Sequence, residues 1–178
     1  MDQLDIFGTK SYEYLLVIEP DSKTTDKVIE LRELLNKTIP LSKESLQSKP
    51  HISLCYFEAT NFSEELILSR MKKATSIIKS FDILLMGCEK WKNGTFILKV
   101  NQDGAIQQLQ QELSAVFKGV IKTPHLTIAR NLPEQFLNQL SPGDYHYDDY
   151  FTCESVLLLK KNGNEPYQLL DKVDLSKK

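Results

Sequence analysis

The sequence predicts an α+β chain with a largely antiparallel sheet, and three observations carry that expectation. Apolar runs of strand length alternate with segments of helical periodicity. Asn93-Gly94, set between two such runs, is a strong hairpin signal, and a hairpin forces antiparallel pairing. A short pattern, Pro-His-apolar-hydroxyl-apolar, occurs twice, each time at the start of a predicted strand. A doubly wound parallel sheet is disfavoured because no strand runs into a Gly-rich phosphate loop.

The elements follow in chain order. Residues 12–19 are β-branched and aromatic and stop at Pro20-Asp21, which reads as a buried strand. Thr24 or Thr25 is expected to cap a helix whose apolar positions are Val28, Leu31, Leu34 and Leu35, with Pro40 ending the run. A strand spans residues 51–57. Ser63-Glu64-Glu65 opens a helix carrying Leu66, Ile67, Met71, Ala74, Ile77 and Ile78. Residues 81–88 and 96–100 form the hairpin pair. Asp103 and Gly104 precede a helix with Ile106, Leu109, Leu113, Val116 and Phe117. Residues 120–132 hold a strand, Pro133 opens a short helix with Phe136, Leu137 and Leu140, and Pro142-Gly143 ends it. Residues 144–150 read as a loop, 151–160 as a strand, 161–165 as a turn and 167–173 as the last strand. Residues 176–178 are expected to fray.

Composition bounds the function. The 178 residues suit one domain, 1–178, with no linker and no low-complexity segment. Hydrophobic residues at 41% and charged residues at 26% fit a packed globule. Lys and Arg number 22 against 24 Asp and Glu, a net charge of −2. Proteins that grip long nucleic acid neutralise many phosphates, so long duplexes are not the expected partner. Cys55, Cys88 and Cys153 are odd in number, widely spaced and without a zinc-type pattern, which reads as reduced thiols and a cytoplasmic setting. The start, residues 1–5, is acidic and lacks the basic and apolar regions of a signal peptide. No apolar run approaches the roughly 20 residues of a membrane helix. A monomer is expected.

The repeated pattern carries the chemistry. Lys49-Pro50-His51-Ile52-Ser53-Leu54 and Thr123-Pro124-His125-Leu126-Thr127-Ile128 place their histidines 74 positions apart (51 to 125). Each strand follows a helix, which suggests two lobes related by a pseudo-twofold axis. Side chains alternate faces along a strand, so His51 shares a face with Ser53, and His125 with Thr127. If the strands meet in one cleft, two imidazoles and two hydroxyls converge. In-line displacement at phosphorus needs a base on the attacking oxygen and an acid on the leaving oxygen. Imidazole titrates near neutrality and serves as either. The hydroxyls donate hydrogen bonds to nonbridging oxygens. No metal and no cofactor is required.

The pair resembles the motifs of the two-histidine (2H) phosphoesterases, the superfamily of LigT-like RNA cyclic phosphodiesterases also called 2′-5′ RNA ligases. His51-Ile52-Ser53-Leu54 and His125-Leu126-Thr127-Ile128 stand at its His-x-Thr/Ser-x motifs. The resemblance covers most of the chain in element order. It implies a bilobal fold: two pseudo-twofold lobes of mainly antiparallel sheet, helices outside, a groove between. It implies metal-independent opening of 2′,3′-cyclic phosphates or cleavage of 2′-5′ linkages. His51 and His125 would be acid and base in either order, and Ser53 and Thr127 would hold the phosphate. The first motif has Ser where Thr is common, and the hydroxyl is kept. The compact spacing and the non-basic chain favour a small nucleotide, a cyclic phosphate or a short RNA end. A nucleotide-binding module without turnover, or an RNA end ligase, would use the same groove.

Further candidates surround the motifs. Arg130 lies five residues beyond His125, on the opposite face by strict alternation, and reaches a groove only where the strand ends or bulges. Cys55 and Phe57 share the face of His51 by the same parity, and Phe57 could stack on a base. Tyr14, Trp91 and Tyr167 are other stacking candidates, and Lys160 with Lys161 could meet a phosphate at the groove mouth. His146 lacks the spacing of a metal ligand, and no Gly-x-Ser-x-Gly elbow supports a Ser-His-Asp hydrolase.

Overall fold

In the computed structural model, which describes residues 10–60, 64–102 and 104–177, the strands divide between two antiparallel sheets. The chain runs β1 (Ser11–Ile18), α1 (Ser22–Asn36), α2 (Lys43–Gln47), β2 (Ile52–Thr60), α3 (Glu64–Thr75), β3 (Phe81–Lys90), β4 (Phe96–Val100) and α4 (Gly104–Phe117). It continues through β5 (Val120–Ile121), β6 (His125–Ala129), α5 (Glu134–Gln139), a 3-10 turn (Pro142–Tyr145), β7 (Asp148–Cys153), β8 (Ser155–Lys161) and β9 (Gln168–Asp174). One sheet has the order β5-β2-β1-β8-β9 and the other β6-β4-β3-β7. Ser63, Asp103, Lys178 and the acidic start lie outside the described residues.

The repeat is visible in this order. Without the two-residue β5, the series β2-β1-β8-β9 corresponds to β6-β4-β3-β7, all neighbours antiparallel. In each sheet the chain leaves one strand, forms a helix and returns as the motif strand beside it: β1-α1-β2 and β4-α4-β6. The helices cross over, α1 packing against β6 and α4 against β2. Each lobe's helix therefore covers the other lobe's motif strand.

Alternation decides which face is covered. In β3, Phe81, Ile83 and Leu85 are buried while Leu84 and Met86 are exposed. Tyr14, Leu16 and Ile18 of β1 point into the same continuous core as Val28, Leu31 and Leu35 of α1. The opposite sheet faces stay open. Asn93-Gly94 makes the expected hairpin between β3 and β4, and Gly94 has φ +80°, a conformation that glycine adopts without cost.

Several expectations are corrected. Asp21 caps α1: its carboxylate accepts from the Thr24 amide at 2.8 Å, and Thr24 and Thr25 lie within the helix. Leu34 is largely exposed, outside the apolar stripe. Residues 120–132 are not one strand. Val120-Ile121 pairs with β2, and after Pro124 the chain joins the other sheet as β6. Residues 151–160 likewise divide at Glu154 between β7 and β8. The loop at 144–150 ends in β7, which pairs with β3 from Asp148 onward. α2, capped by Ser42, has no counterpart in the predicted elements. Pro133 is the N-cap of α5, one position before the first turn.

Candidate active site

Both motif strands carry a bulge at the same place. Leu16 pairs with Cys55 and Val17 with Ser53, so Leu54 is extra; Phe96 pairs with Ala129 and Ile97 with Thr127, so Ile128 is extra. Each lies three residues beyond its histidine. A bulge shifts the face of every following side chain. Ser53 sits opposite Val17 and Thr127 opposite Ile97, on the open faces. Beyond the bulge, Cys55 and Phe57 turn into the core, and Tyr56 faces the open side opposite Leu15. In the second lobe Ala129 turns inward, and exposed Arg130 follows on the open side as the strand ends. Asn131, at φ +56°, then turns the chain away.

The two histidines are held alike. The Nδ1 of His51 lies 2.9 Å from the carbonyl of Lys49, and that of His125 lies 2.7 Å from the carbonyl of Thr123. A carbonyl only accepts, so Nδ1 carries the proton in both rings and Nε2 is the nitrogen left for acid–base work. Burial lowers the pKa of His51; the Lys49 carbonyl raises it, and the charges of Arg130, His125 and Arg32 lower it further. Burial also lowers His125, opposed by the Thr123 carbonyl and reinforced by Arg130. Arg130 thus acts on both rings, and His125 on His51. β2 and β6 are neighbours across the junction of the sheets.

Two depressions flank the motifs. One, of about 220 Å³, is bordered by His51, Val17, Leu157, Leu159, Tyr167 and Leu169. The other, of about 360 Å³, is bordered by Trp91, Ile97, Lys99, Met86, Thr123 and Pro124. Trp91 meets His125 edge-on, ring centroids 4.6 Å apart, and its indole N–H donates to Glu89. The Tyr167 hydroxyl donates to Glu13 at 3.2 Å.

The other candidates lie elsewhere. Tyr14 is fully buried; its ring stacks on Phe57 at 5.2 Å, and Phe57 stacks on Phe117 at 4.4 Å, so neither ring offers a face to a ligand. The parity argument for Phe57 fails at the Leu54 bulge. Lys160 pairs with Glu64 of α3 and lies over the Tyr12 ring, on the helix-covered face of β8. Lys161 faces the open side and pairs with Glu13. His146 pairs with Asp148 at 3.1 Å. Among the described residues no three His, Cys, Asp or Glu side chains gather as a metal site would require. Lys99, directly opposite His125 on β4, was not anticipated. Its signal is legible in retrospect: one charge within the apolar run Phe96-Ile97-Leu98-Lys99-Val100.

Comparison with known proteins bears on the fold and the family. The family model of the 2′-5′ RNA ligase superfamily matches residues 19–165. Escherichia coli LigT complexed with phosphate superposes with a TM-score of 0.70 at 16% identity, covering 93% of this chain and 98% of that one. LigT complexed with 3′-AMP gives 0.67 at 17%, again over 93% and 98%. TT0787 of Thermus thermophilus gives 0.73 at 15%, with the same coverage. No curated protein sequence matches the chain. The likeness in structure shows a shared LigT-like 2H phosphoesterase fold. The chain belongs to the 2′-5′ RNA ligase superfamily.

Proposed function

We propose that the protein is a metal-independent phosphodiesterase that opens 2′,3′-cyclic phosphates, or cleaves 2′-5′ linkages, of nucleotides or short RNA ends. The observation that carries this reading is the matched anchoring of His51 and His125, each with Nδ1 on the carbonyl two residues before it. That anchoring makes both Nε2 atoms available to a phosphate between the lobes. One imidazole takes a proton from the attacking water as its oxygen bonds to phosphorus. The other, protonated, gives its proton to the ribose oxygen as the P–O bond breaks. The phosphate gains one oxygen from water, the ribose regains a hydroxyl, and the pair of histidines ends with its proton exchanged. Ser53 and Thr127 donate to the nonbridging oxygens, and Arg130 balances their charge. Trp91 and Tyr167, one in each flanking depression, suit the base or sugar on either side of the phosphorus. The crystallised complexes of LigT with phosphate and 3′-AMP support a small nucleotide as ligand.

Calorimetry with 2′,3′-cyclic mononucleotides, paired with product analysis, tests the reading against a silent binding module. Heat of binding together with a linear nucleoside monophosphate is the expected result. Tight binding with the cyclic ligand recovered intact would overturn it.

A further inference from the structure

The extra residue at each bulge has a carbonyl that accepts from a buried side chain of the opposite lobe's helix, and the Leu54 carbonyl also accepts from the Lys122 amide at 3.0 Å. Arg32 of α1, 3% exposed, donates from Nε to the carbonyl of Ile128 at 3.2 Å and from Nη2 to that of Thr127 at 2.8 Å. Its Nη1 donates to the carbonyl of Ser48. Gln110 of α4, 5% exposed, donates from Nε2 to the carbonyl of Leu54 at 3.2 Å and of Lys122 at 2.6 Å. Ile128 and Leu54 each lie three residues after a motif histidine, and Ser48 and Lys122 each lie three before one. Each donor therefore ties the far side of one motif strand to the approach of the other.

We propose that Arg32 and Gln110 are paired positioning residues, a pseudo-symmetric latch that fastens the two bulged motif strands to one another and sets the spacing of His51 and His125. This inference rests on the phosphodiesterase reading for its kinetic consequences, though not for its geometry. The Leu54 carbonyl has the Lys122 amide as well as Gln110, whereas the Ile128 carbonyl takes its donor from Arg32. A side chain on the strand's own helix could satisfy either carbonyl equally well. Here the donor spans the lobe boundary at both bulges, so satisfying the carbonyl also fixes one lobe against the other. Both side chains are buried, and the hydrogen bonds described here go to backbone carbonyls. Their effect on the reaction passes through the histidines, whose displacement by about 1 Å costs on the order of a hundredfold in rate.

Gln110→Leu removes one arm without changing charge, and Arg32→Lys keeps the charge but loses the forked geometry. Both are measured for kcat and KM on 2′,3′-cyclic mononucleotides, with thermal melting alongside. The expected result is a fall in kcat of about a hundredfold with KM within about threefold, in protein that still melts cooperatively. Wild-type kcat in either folded variant would overturn the proposal, as would a loss of rate that cooling to well below the melting temperature restores. A readout independent of turnover is the NMR titration of the imidazole Cε1–H signals. In the otherwise wild-type protein, His125→Gln should move the titration of His51 upward, because the charge of His125 acts on it. In the Gln110→Leu background that coupling should disappear. Coupling unchanged by Gln110→Leu, or absent from the start, would overturn the latch even if no substrate is turned over. Coupling lost as expected, with no turnover by the wild type, would uphold the latch and sink the phosphodiesterase reading instead.

Discussion

A histidine that donates Nδ1–H to a backbone carbonyl keeps one nitrogen for chemistry, and here two histidines do so in the same way. The consequence is specific to those side chains. His51→Ala or His125→Ala should each lower kcat by about a hundred- to ten-thousandfold. Neither ring is in the apolar core, so urea midpoints should move little; equal activity in a variant would contradict the assigned roles. The pH dependence follows from the direction of the shifts. Burial and Arg130 hold both imidazoles below 6.5, so both are neutral in the free protein at neutral pH. The productive form carries a single proton on the pair, and its population peaks between the two macroscopic values, which burial and Arg130 shift downward. The kcat/KM profile should therefore peak on the acid side of neutrality and fall as pH rises through 7. The kcat profile should extend to higher pH, because a bound phosphate favours the imidazolium. A kcat/KM maximum above pH 7 would contradict this.

At the scale of elements, what the residue pattern revealed depended on how local each signal was. The hairpin was legible because Asn93-Gly94 states it in two residues, and the motif strands were legible because the pattern occurs twice. The bulges at Leu54 and Ile128 were not, since a bulge exists only relative to the partner strand. That one gap misplaced Phe57 and hid Tyr56, while it delivered Arg130 to the open face. The runs 120–132 and 151–160 looked continuous because apolar residues lie on both sides of each break; the sheet changes at Pro124 and Glu154 carry no periodicity signal of their own. Arg32 and Gln110 read as ordinary helix residues, because their partners lie 96 and 56 positions away for Ile128 and Leu54. Gly94 supplies a prediction at this scale. A Cβ there would lie 2.7 Å from the carbonyl of Leu132, and φ is +80°. Gly94→Ala should destabilise by about 1–3 kcal/mol in urea unfolding, through strain at the turn that receives the Leu132 amide. An unchanged midpoint would show that the turn relaxes.

For the molecule as a whole, a single core joins both lobes: Tyr14, Phe96 and Phe151 are fully buried in one cluster that runs through both sheets. Its thiols report on that packing. Burial pushes Cys55 up to about 11, and Cys88 and Cys153 up to about 12. Thiol reagents at pH 8 should label the folded protein slowly, and unfolding should expose all three cysteines together. Rapid labelling of a buried thiol without unfolding would show that the lobes open independently. The same closed frame, with two motif strands at its centre, is the basis of the functional account, and one measurement bears on it most directly. It is hydrolysis of the four 2′,3′-cyclic mononucleotides in excess EDTA, with 2′- and 3′-phosphate products resolved and the His51→Ala/His125→Ala double variant as control. The account predicts ring opening to one of the two monophosphates, undiminished by the chelator and abolished in the double variant. Turnover that persists without both histidines, or that EDTA removes, would contradict it.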